Sequence, residues 1–447
     1  MSQKDSSDDV VKEWFGQLPE GWSLRRLRTL GHFTASGIDK KTVEGESLVR
    51  MVNYTDIYGN PTLELRNSPD YMVVSCPANK VEEHGLVQGD MLFTPSSETA
   101  EDIGVSAVVM EDLLNTVYSY HITRFRMRDE ISLRYRKYLC NHPRVLRQFS
   151  RLCKGTTRQI LVREDFKSAW VAIPPTEQHD RIAEYLNEAT GKVDRLVALR
   201  RRQMELLQEQ RAALIQQAVT RGLNPRAPLK DSGLPWLGEI PKHWEVVKFN
   251  HYVSLRHGHQ FRQEDFTPVG CKVIKITQLN ADGTLDIENC DTVASERVAS
   301  FRDILIKSGD ILMALTGGTI GKVIRVGEVT EPLLQNYRVG HFAPSQKAKL
   351  TKDFLYWVMK SDVAMGQILF LVSETGQPNI GKADFSGVFF ALPPLREQTE
   401  IVEHISNELP KLDALHSAYT HQLELLTEYR AALIHECVTG QRAVPTN

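Results

Sequence analysis

Three short stretches of the sequence carry side chains that could do chemistry, and the first is glycine-rich. Thr316–Lys322 has the sequence Thr-Gly-Gly-Thr-Ile-Gly-Lys. A phosphate-binding Walker loop needs four residues between its glycines and a Ser or Thr after the lysine to reach Mg²⁺. Here only three residues separate Gly317 from Gly321, and Val323 follows the lysine. We interpret the stretch as a strand turn that could approach a DNA backbone, and not as a nucleotide site.

The other two stretches are weak metal candidates. His257 and His259 with Cys271 have unconvincing spacing and lack a fourth ligand for zinc. Pro69-Asp70 could begin a nuclease motif, but no Glu-x-Lys follows to give Mg²⁺ its second carboxylate. The sequence also lacks Gly-x-Ser-x-Gly, His-Glu-x-x-His and Asp/Asn-Pro-Pro-Tyr motifs. It therefore predicts no catalytic residue, metal or cofactor in this chain.

The elements that would position any functional residue occur twice, 219 to 222 residues apart. The paired motifs are Leu18–Trp22 with Ile240–Trp244, Gly89–Leu92 with Gly309–Leu312, Asp165-Phe166 with Asp384-Phe385, Ile173–Pro175 with Leu392–Pro394, and Arg211–Ile215 with Arg430–Ile434. Such self-similarity indicates a tandem duplication. The copies agree at their ends, whereas 23–88 and 245–308 share little. One scaffold carrying two different binding surfaces is the expected consequence.

Composition places the chain among ordinary globular proteins. Its 447 residues are 41% hydrophobic and 25% charged, which indicates two or three domains. A net charge of −2 does not favour nucleic acid, but a global charge averages over patches. The six cysteines form no Cys-x-x-Cys pair, which favours free thiols and a cytoplasmic location.

The end of each repeat is predicted to be helical. Residues 177–219 contain no proline and are rich in Ala, Leu, Glu, Gln and Arg. Steps of four and three define a heptad seam, which Leu196, Leu199 and Leu206 would widen. The apolar pairing residues on these seams are Val193, Val197, Met204, Leu207, Leu214, Leu412, Leu423, Leu426 and Leu433. Gly191 and Pro410 predict a break, followed by an antiparallel pair of long helices about 40 Å in length.

The region before each helical tail has short segments rich in β-branched residues, bounded by Gly, Pro, Asn and Asp, which are typical of strands. The predicted fold class is therefore α+β and tandem-duplicated, with two α+β domains joined and separated by two long antiparallel coiled-coil helices in a pseudo-two-fold arrangement. The expected domains are 1–17 flexible tail, 18–175 first α+β domain, 176–222 first helical spacer, 223–394 linker and second α+β domain, 395–440 second helical spacer and 441–447 C-terminal tail.

The order of these motifs, found twice, resembles the specificity subunit of type I restriction–modification systems. The resemblance covers about Leu18 to Gly440 and includes the Gly-Thr-Ile-Gly-Lys turn and the Pro-Pro-x-x-x-Gln helix entry at 393–398. The first repeat departs from the pattern in two places. Its Pro174-Pro175 lies one residue closer to Gln178, and Ser96–Gly104 replaces the glycine turn.

The resemblance implies a protein that is not itself an enzyme. Two target recognition domains would each bind half of a split double-stranded DNA sequence, and the helices would measure the gap. The helices would also dock two modification (methyltransferase) subunits, and restriction subunits would supply translocation and cleavage. S-adenosylmethionine, ATP and Mg would belong to those partner subunits.

Side chains with paired donors or acceptors on loops are the candidates for reading bases. The predicted DNA-binding residues are Tyr118, Tyr120, His121, Arg124, Thr156, Thr157, Arg158, Gln159, Thr319, Lys322, Gln335, Asn336, Tyr337, Arg338, Thr375, Gln377 and Asn379. The alternative is that these loops are solvated turns that only order the domains. Arg211 and Arg430 are expected to pair with glutamates at the seam edge, with methyltransferase docking as the alternative.

Two other classes of function stay open from the sequence alone. The chain could be a truncated, self-contained restriction or methyltransferase enzyme, which methyl transfer by the isolated chain would reveal. It could also be a coiled-coil adaptor whose globular parts bind protein, which a DNA-independent partner would reveal.

Overall fold

The structure is a computed structural model that describes residues 14–280, 282–373 and 380–445. The chain forms two compact units. Unit 1 comprises the residues up to Arg200 together with those from Thr420 onward, and unit 2 comprises Arg201–Tyr419. The tandem-duplicated α+β class is thus confirmed, and each unit is described by itself below.

Unit 1 is built on a five-stranded sheet and a three-stranded sheet. The larger sheet has the order 31–35, 123–127, 91–93, 106–109 and 64–65, and the smaller one has the order 72–76, 47–52 and 116–118. Its strands are Ser23–Arg26, Gly31–Ala35, Ser47–Val52, Glu64–Leu65, Met72–Cys76, Met91–Phe93, Ser96–Ser97, Ser106–Val109, Thr116–Tyr118, Thr123–Met127, Gln159–Ile160 and Trp170–Ile173. Its short helices are Leu27–Leu30, Tyr54–Ile57, Ala78–His84, Leu133–Leu139, Pro143–Leu152 and Arg163–Ser168.

Unit 2 repeats this plan with a four-stranded and a five-stranded sheet. Their orders are 253–257, 339–344, 311–314, 323–325 and 266–267, 291–293, 271–274, 333–335, 305–306. Its strands are Leu229–Asp231, Glu239–Pro241, Glu245–Lys248, Val253–His257, Phe266–Thr267, Cys271–Ile274, Asp291–Val293, Leu305–Ile306, Ile311–Ala314, Val323–Arg325, Leu333–Gln335, Val339–Pro344 and Phe389–Leu392. Its short helices are Phe249–Tyr252, Lys352–Lys360 and Asp362–Ser373, with 3₁₀ turns at Gln263–Asp265, Ile276–Gln278, Ser295–Ile304, Gly317–Thr319 and Asp384–Gly387.

Each unit contributes to two long helices, Thr176–Arg221 and Leu395–Val438. Both are continuous, so the predicted break at Gly191 and Pro410 is wrong. A glycine costs a helix only about 1 kcal/mol relative to alanine. Pro410 is solvent-exposed, so water can bond the carbonyl that its missing N–H leaves free. Neighbouring Leu409, 5% exposed, anchors this turn in the core of unit 2.

The helix entry shows that the first repeat has lost no residue before its helix. In unit 2 the fully buried Gln398 side chain donates to Pro393 O at 2.9 Å and accepts from Thr351 N at 2.9 Å. In unit 1 His179 takes this place, with its Nε2 3.1 Å from Pro174 O and its Nδ1 accepting from the backbone of Ser132. An imidazole therefore replaces the amide, and Gln178 is not the equivalent residue.

The core of each unit includes parts of both long helices. In unit 1, Leu186 of the first helix and Leu433 of the second lie in one cluster with Phe125 and Phe149. Phe15 belongs to the same cluster and is fully buried. The prediction of a flexible tail over residues 1–17 lies outside the described residues up to residue 13 and is wrong at Phe15, because the apolar ring gains more from burial than the backbone loses in freedom.

One arginine–aspartate pair recurs in the two units with the helices exchanged. In unit 1, Arg430 Nε donates to Asp194 Oδ1 at 2.8 Å. In unit 2, Arg211 pairs with Asp413. The repeated arginines therefore bind aspartates of the other long helix and not neighbouring glutamates, which shows that the helices run side by side within each unit.

Candidate nucleic-acid interface

A turn that carries an exposed tyrosine follows the parallel strand of unit 1. The backbone N–H of Ser119 donates to Val52 O at 3.0 Å, and that of Tyr120 donates to Ile38 O at 3.0 Å. The Tyr120 ring is 46% exposed, and its centroid lies 3.7 Å from that of His121. Two backbone bonds to separate segments thus hold this aromatic pair at the surface.

The equivalent turn of unit 2 has the same two backbone bonds. Asn336 N donates to Ile274 O at 3.0 Å, and Tyr337 N donates to His259 O at 2.9 Å. Tyr337 is half-buried and Arg338 is exposed. The Arg338 guanidinium lies 5.3 Å from the centre of the Tyr337 ring, and its Nε donates to the tyrosine hydroxyl at 2.6 Å.

Two cations, Lys40 and Arg158, lie near Tyr120 and His121, which we call the tip of unit 1. Burial, followed by the nearby charges of Lys40 and Arg158, lowers the pKa of His121 below its usual value. The imidazole is therefore neutral at pH 7 and offers one donor and one acceptor. Lys40 and Arg158 are exposed, and exposed cations of this kind suit contact with phosphate.

The loop 154–159 of unit 1 supplies Arg158. Thr156, Thr157 and Arg158 are all exposed, as the prediction of DNA contact requires. Gln159 is half-buried and donates to Gly155 O at 2.9 Å, so its amide closes the loop. The first three residues stay predicted DNA contacts, and Gln159 is better described as a positioning residue.

Two stacked tyrosines, which sequence reasoning missed, adjoin this loop. The Tyr54 and Tyr58 ring centroids are 5.2 Å apart, and Tyr58 OH donates to Asp102 Oδ2 at 3.2 Å. Burial raises the pKa of Tyr54, while Ser97 and Arg158 lower it in part. Tyr58 is 40% exposed, so its ring is accessible. Aromatic faces beside cations suit nucleic acid.

Tyr337 and Arg338, which we call the tip of unit 2, lie beside Leu315, and Leu315 in turn contacts Ile380. Leu315 N donates to Arg338 O at 3.0 Å, and Ile380 N donates to Leu315 O at 2.8 Å. These bonds bring the tyrosine turn together with Leu315, which precedes the glycine turn, and with Ile380. The predicted contacts Thr375, Gln377 and Asn379 lie outside the described residues.

The glycine turn of unit 2 holds Thr319 and Lys322. Both are half-buried. Thr319 Oγ1 donates to Thr316 O at 3.4 Å, and Lys322 Nζ donates to Leu279 O at 3.4 Å. These long bonds are weak. A phosphate could therefore replace them, and both residues stay predicted contacts.

Two predicted contacts in unit 1 are core residues. Tyr118 is fully buried, and its hydroxyl lies 2.9 Å from Thr34 Oγ1. Arg124 is 3% exposed; its Nε donates to Thr34 Oγ1 and its Nη1 donates to Gly85 O, both at 3.1 Å. The strand ends at Tyr118, so Tyr120 lies in the turn, where side chains no longer follow the two-residue period of the strand, and it is exposed. Direct DNA contact by Tyr118 and Arg124 is therefore wrong.

The same correction applies to two residues in unit 2. Gln335 is fully buried, accepting from Arg256 Nη2 at 3.1 Å and donating to Val339 O at 2.6 Å. Asn336 is 5% exposed, and its Oδ1 accepts from Arg338 N at 3.2 Å. The Gln335 amide and the Asn336 Oδ1 are engaged inside the protein and both side chains are buried, so they position the turn and do not contact DNA.

The structure adds a loop that follows the first sheet strand in each unit. Lys40 and Lys41 in unit 1, and His257 and His259 in unit 2, are exposed. These loops supply the carbonyls of Ile38 and His259 that hold the tyrosine turns. One sequence signal could have found these loops. Gly37 and Gly258 lie 221 residues apart, and each stands in a polar run.

The weak metal candidate has other roles. The His259 ring centroid lies 4.9 Å from those of Phe261 and Phe301, and Cys271 Sγ donates to Pro332 O at 3.0 Å. Across residues 14–280, 282–373 and 380–445, no three His, Cys, Asp or Glu side chains are grouped to bind a metal ion.

The predicted pairing residues of the long helices are all at least half-buried. Val193 and Leu433 in unit 1 are 4% and 1% exposed, and the other seven are half-buried. In contrast, Leu196, Leu199 and Leu206 are 45%, 52% and 45% exposed, so they do not widen the seam. None of the helices in the described parts of the chain is both long and apolar enough to span a membrane.

Comparison with known proteins finds a family model that matches part of the chain and relatives that it resembles. The family model described as "Type I restriction modification DNA specificity domain" matches residues 241–425. The chain is 26% identical over 291 residues to the type I restriction enzyme MjaVIII specificity subunit of Methanocaldococcus jannaschii, covering 64% of this chain and 65% of that relative. It is 22% identical to the EcoKI specificity subunit of Escherichia coli K12, covering 95% and 90%.

A solved structure agrees in fold. A chain from a study of complex assembly and conformational transition of the type I R-M system superposes with a TM-score of 0.71 at 17% identity. The superposition covers 95% of this chain and all of that one. This likeness shows a shared fold, and the sequence matches show that the chain is similar to type I restriction–modification specificity subunits.

Proposed function

We propose that this chain is the non-catalytic subunit that selects the DNA target of a type I restriction–modification complex. Each unit binds one half of a bipartite sequence. The observation that carries the proposal is the tyrosine turn, which the same backbone bonds hold in both units while the residue at its tip differs. A scaffold repeated with different tips is what recognition of two unlike half-sites requires.

Two half-sites bound by one chain give the complex its selectivity. Each mismatch in a site costs about 1–3 kcal/mol, so one short half-site discriminates poorly. Linking two modules combines their energies without new contacts. The chemistry belongs to partners: modification subunits hold S-adenosylmethionine and methylate adenine, and restriction subunits use ATP and Mg for translocation and cleavage.

The long helices are the proposed docking elements for the modification subunits. In unit 1 the exposed apolar side chains on these helices include Leu199, Leu425 and Tyr429, which are 52%, 49% and 51% exposed. In unit 2 they include Leu206 and Leu415, 45% and 44% exposed. Apolar side chains at regular helical spacing are typical of a surface that a partner covers.

The decisive experiment co-expresses the full chain with its modification subunits and maps methylated adenines in the host genome. We expect one sequence made of two specific halves and a fixed unspecific gap. Methylation without a bipartite motif would contradict the proposal, and methyl transfer by the isolated chain would show that it is an enzyme.

A second experiment tests the helices as the spacer. Seven residues are removed at equivalent places from 194–207 and 413–426, which shortens each helix by about 10 Å. We expect the gap to change and both half-sequences to stay the same. An unchanged gap in a folded variant would show that the helices do not set it.

A further inference from the structure

The two tyrosine turns differ at the residue that follows the tyrosine. Tyr120 and Tyr337 occupy equivalent places, because each donates its backbone N–H to the loop after the first sheet strand. The next side chain lies against the tyrosine ring in both units: His121 at 3.7 Å between centroids, and Arg338 at 5.3 Å from guanidinium to centroid. The support is conserved between the copies and the tip is not.

Arg338 is held in one orientation. Its backbone N–H donates to Asn336 Oδ1 at 3.2 Å and its carbonyl accepts from Leu315 N at 3.0 Å. Its Nε is occupied by the Tyr337 hydroxyl. No carboxylate in the described parts of the chain forms an ion pair with Arg338. The two Nη groups therefore stay available as a planar fork.

A role in binding phosphate does not explain why the residue after the tyrosine is His121 in unit 1 and Arg338 in unit 2. Phosphate binding requires positive charge, and a position with that role would be cationic in both units. His121 is kept neutral at pH 7 by partial burial and by the nearby charges of Lys40 and Arg158. A neutral imidazole in one copy and a forked cation in the other differ in hydrogen-bond pattern, which is how base edges are distinguished.

We propose that the residue after the tyrosine is a base-reading position in each unit, and that Arg338 binds a guanine in the half-site of unit 2. The inference rests on the proposed function. The Nη1 and Nη2 donors of an arginine match the O6 and N7 acceptors of guanine in the major groove. Tyr337 is the positioning residue, since its hydroxyl holds Nε and its ring supports the guanidinium.

The test maps methylated adenines with the full chain in its complex, comparing the native protein with Arg338→Ala and Arg338→Lys. Both variants should lose about 5- to 140-fold of the preference for guanine at one position, which corresponds to about 1–3 kcal/mol for a bidentate contact. The other half-site and the gap should not change. Lys347→Ala is the matched control, because Lys347 is an exposed cation beyond the other end of the strand Val339–Pro344.

The outcomes separate this inference from the proposed function. A native motif that is not bipartite would remove the proposed function itself. A bipartite motif that Arg338→Lys leaves unchanged, or that has no G·C pair in the affected half, would overturn the role of Arg338. An even weakening at all positions would assign Arg338 to phosphate and also overturn it.

His121→Arg supplies an independent arm if the Arg338 variants do not fold. We expect one position in the half-site of unit 1 to gain a preference for guanine. An unchanged motif from a folded His121→Arg protein, shown by an unfolding midpoint equal to that of the native chain, would contradict the inference.

Discussion

Replacing Asp310 by Asn tests whether the buried carboxylate of the Gly-Asp-x-Leu motif organises unit 2. The side chain is 8% exposed and accepts bonds from Lys352 Nζ at 2.8 Å and Lys307 N at 2.9 Å, with His341 Nε2 at 3.3 Å. Burial alone would raise the pKa of Asp310. The hydrogen bonds from His341, Lys352 and the Lys307 amide outweigh it and hold the pKa well below its usual range.

The expected cost of Asp310→Asn follows from this environment. Removing one partner of a buried ion pair costs about 3–5 kcal/mol. Asn keeps the shape and can still accept from Lys307 N, and Lys352 is 35% exposed and can turn toward water. We therefore expect a loss of about 2 kcal/mol in the free energy of unfolding. The matched control is Asp353→Asn, whose pair with Arg325 is 46% and 45% exposed and is worth within about 1 kcal/mol.

The assay must resolve unit 2, because three of the six tryptophans lie in each unit. Hydrogen exchange followed by mass spectrometry can report on the strand Ile311–Ala314. Because the folded pKa of Asp310 is lowered, its stabilisation is complete above the unfolded value near 4 and is lost as pH falls below it. Equal protection in Asp310→Asn and Asp353→Asn at pH 7 would refute the reasoning.

Three further predictions concern other parts of the molecule. Gly258→Ala should weaken binding to the half-site of unit 2, because a Cβ would lie 2.0 Å from Gln335 O; binding equal to the native chain would contradict this. Burial lowers the pKa of His142 to about 3. Below about pH 6.5 the unfolded chain binds a proton at this histidine and the folded chain does not, so the free energy of unfolding falls as the pH is lowered. Unit 1 should then lose about 2 kcal/mol between pH 6.5 and pH 5, and His142→Phe should abolish that part of the urea-midpoint shift. Leu199→Glu should weaken co-purification of modification subunits at least tenfold more than the exposed-site control Thr427→Glu, and equal losses would place docking elsewhere.

The duplication and the helical ends could be predicted because both are local properties of the chain. Matching motifs such as Trp22 and Trp244 are visible in one dimension, and helix propensity acts within a few residues. The single helix-disfavouring residues Gly191 and Pro410 misled the prediction of a break. Pro410 is tolerated because the carbonyl that its missing N–H leaves free faces water, and because Leu409 is anchored in a core.

The site could be predicted only to the level of the loops. Tyr118 and Tyr120 are two residues apart, yet one is fully buried and the other 46% exposed. The composition of the loop does not say that the strand ends at Tyr118, and beyond that end side-chain direction no longer follows the strand's two-residue period. The equivalence of His179 in the first repeat and Gln398 in the second could not be seen in the sequence for a related reason. Only the hydrogen bonds that both side chains make to the helix entry reveal it.

The sequence by itself determined that this protein is one unit copied twice, with helical ends and dissimilar middles, since repetition and propensity are written along the chain. Tertiary structure alone decided which polar side chains are available to a partner. Arg124 and Arg338 have the same chemistry, but a buried guanidinium must satisfy its donors internally, whereas an exposed one on a tyrosine ring keeps its fork free. That difference depends on contacts between residues far apart in the chain.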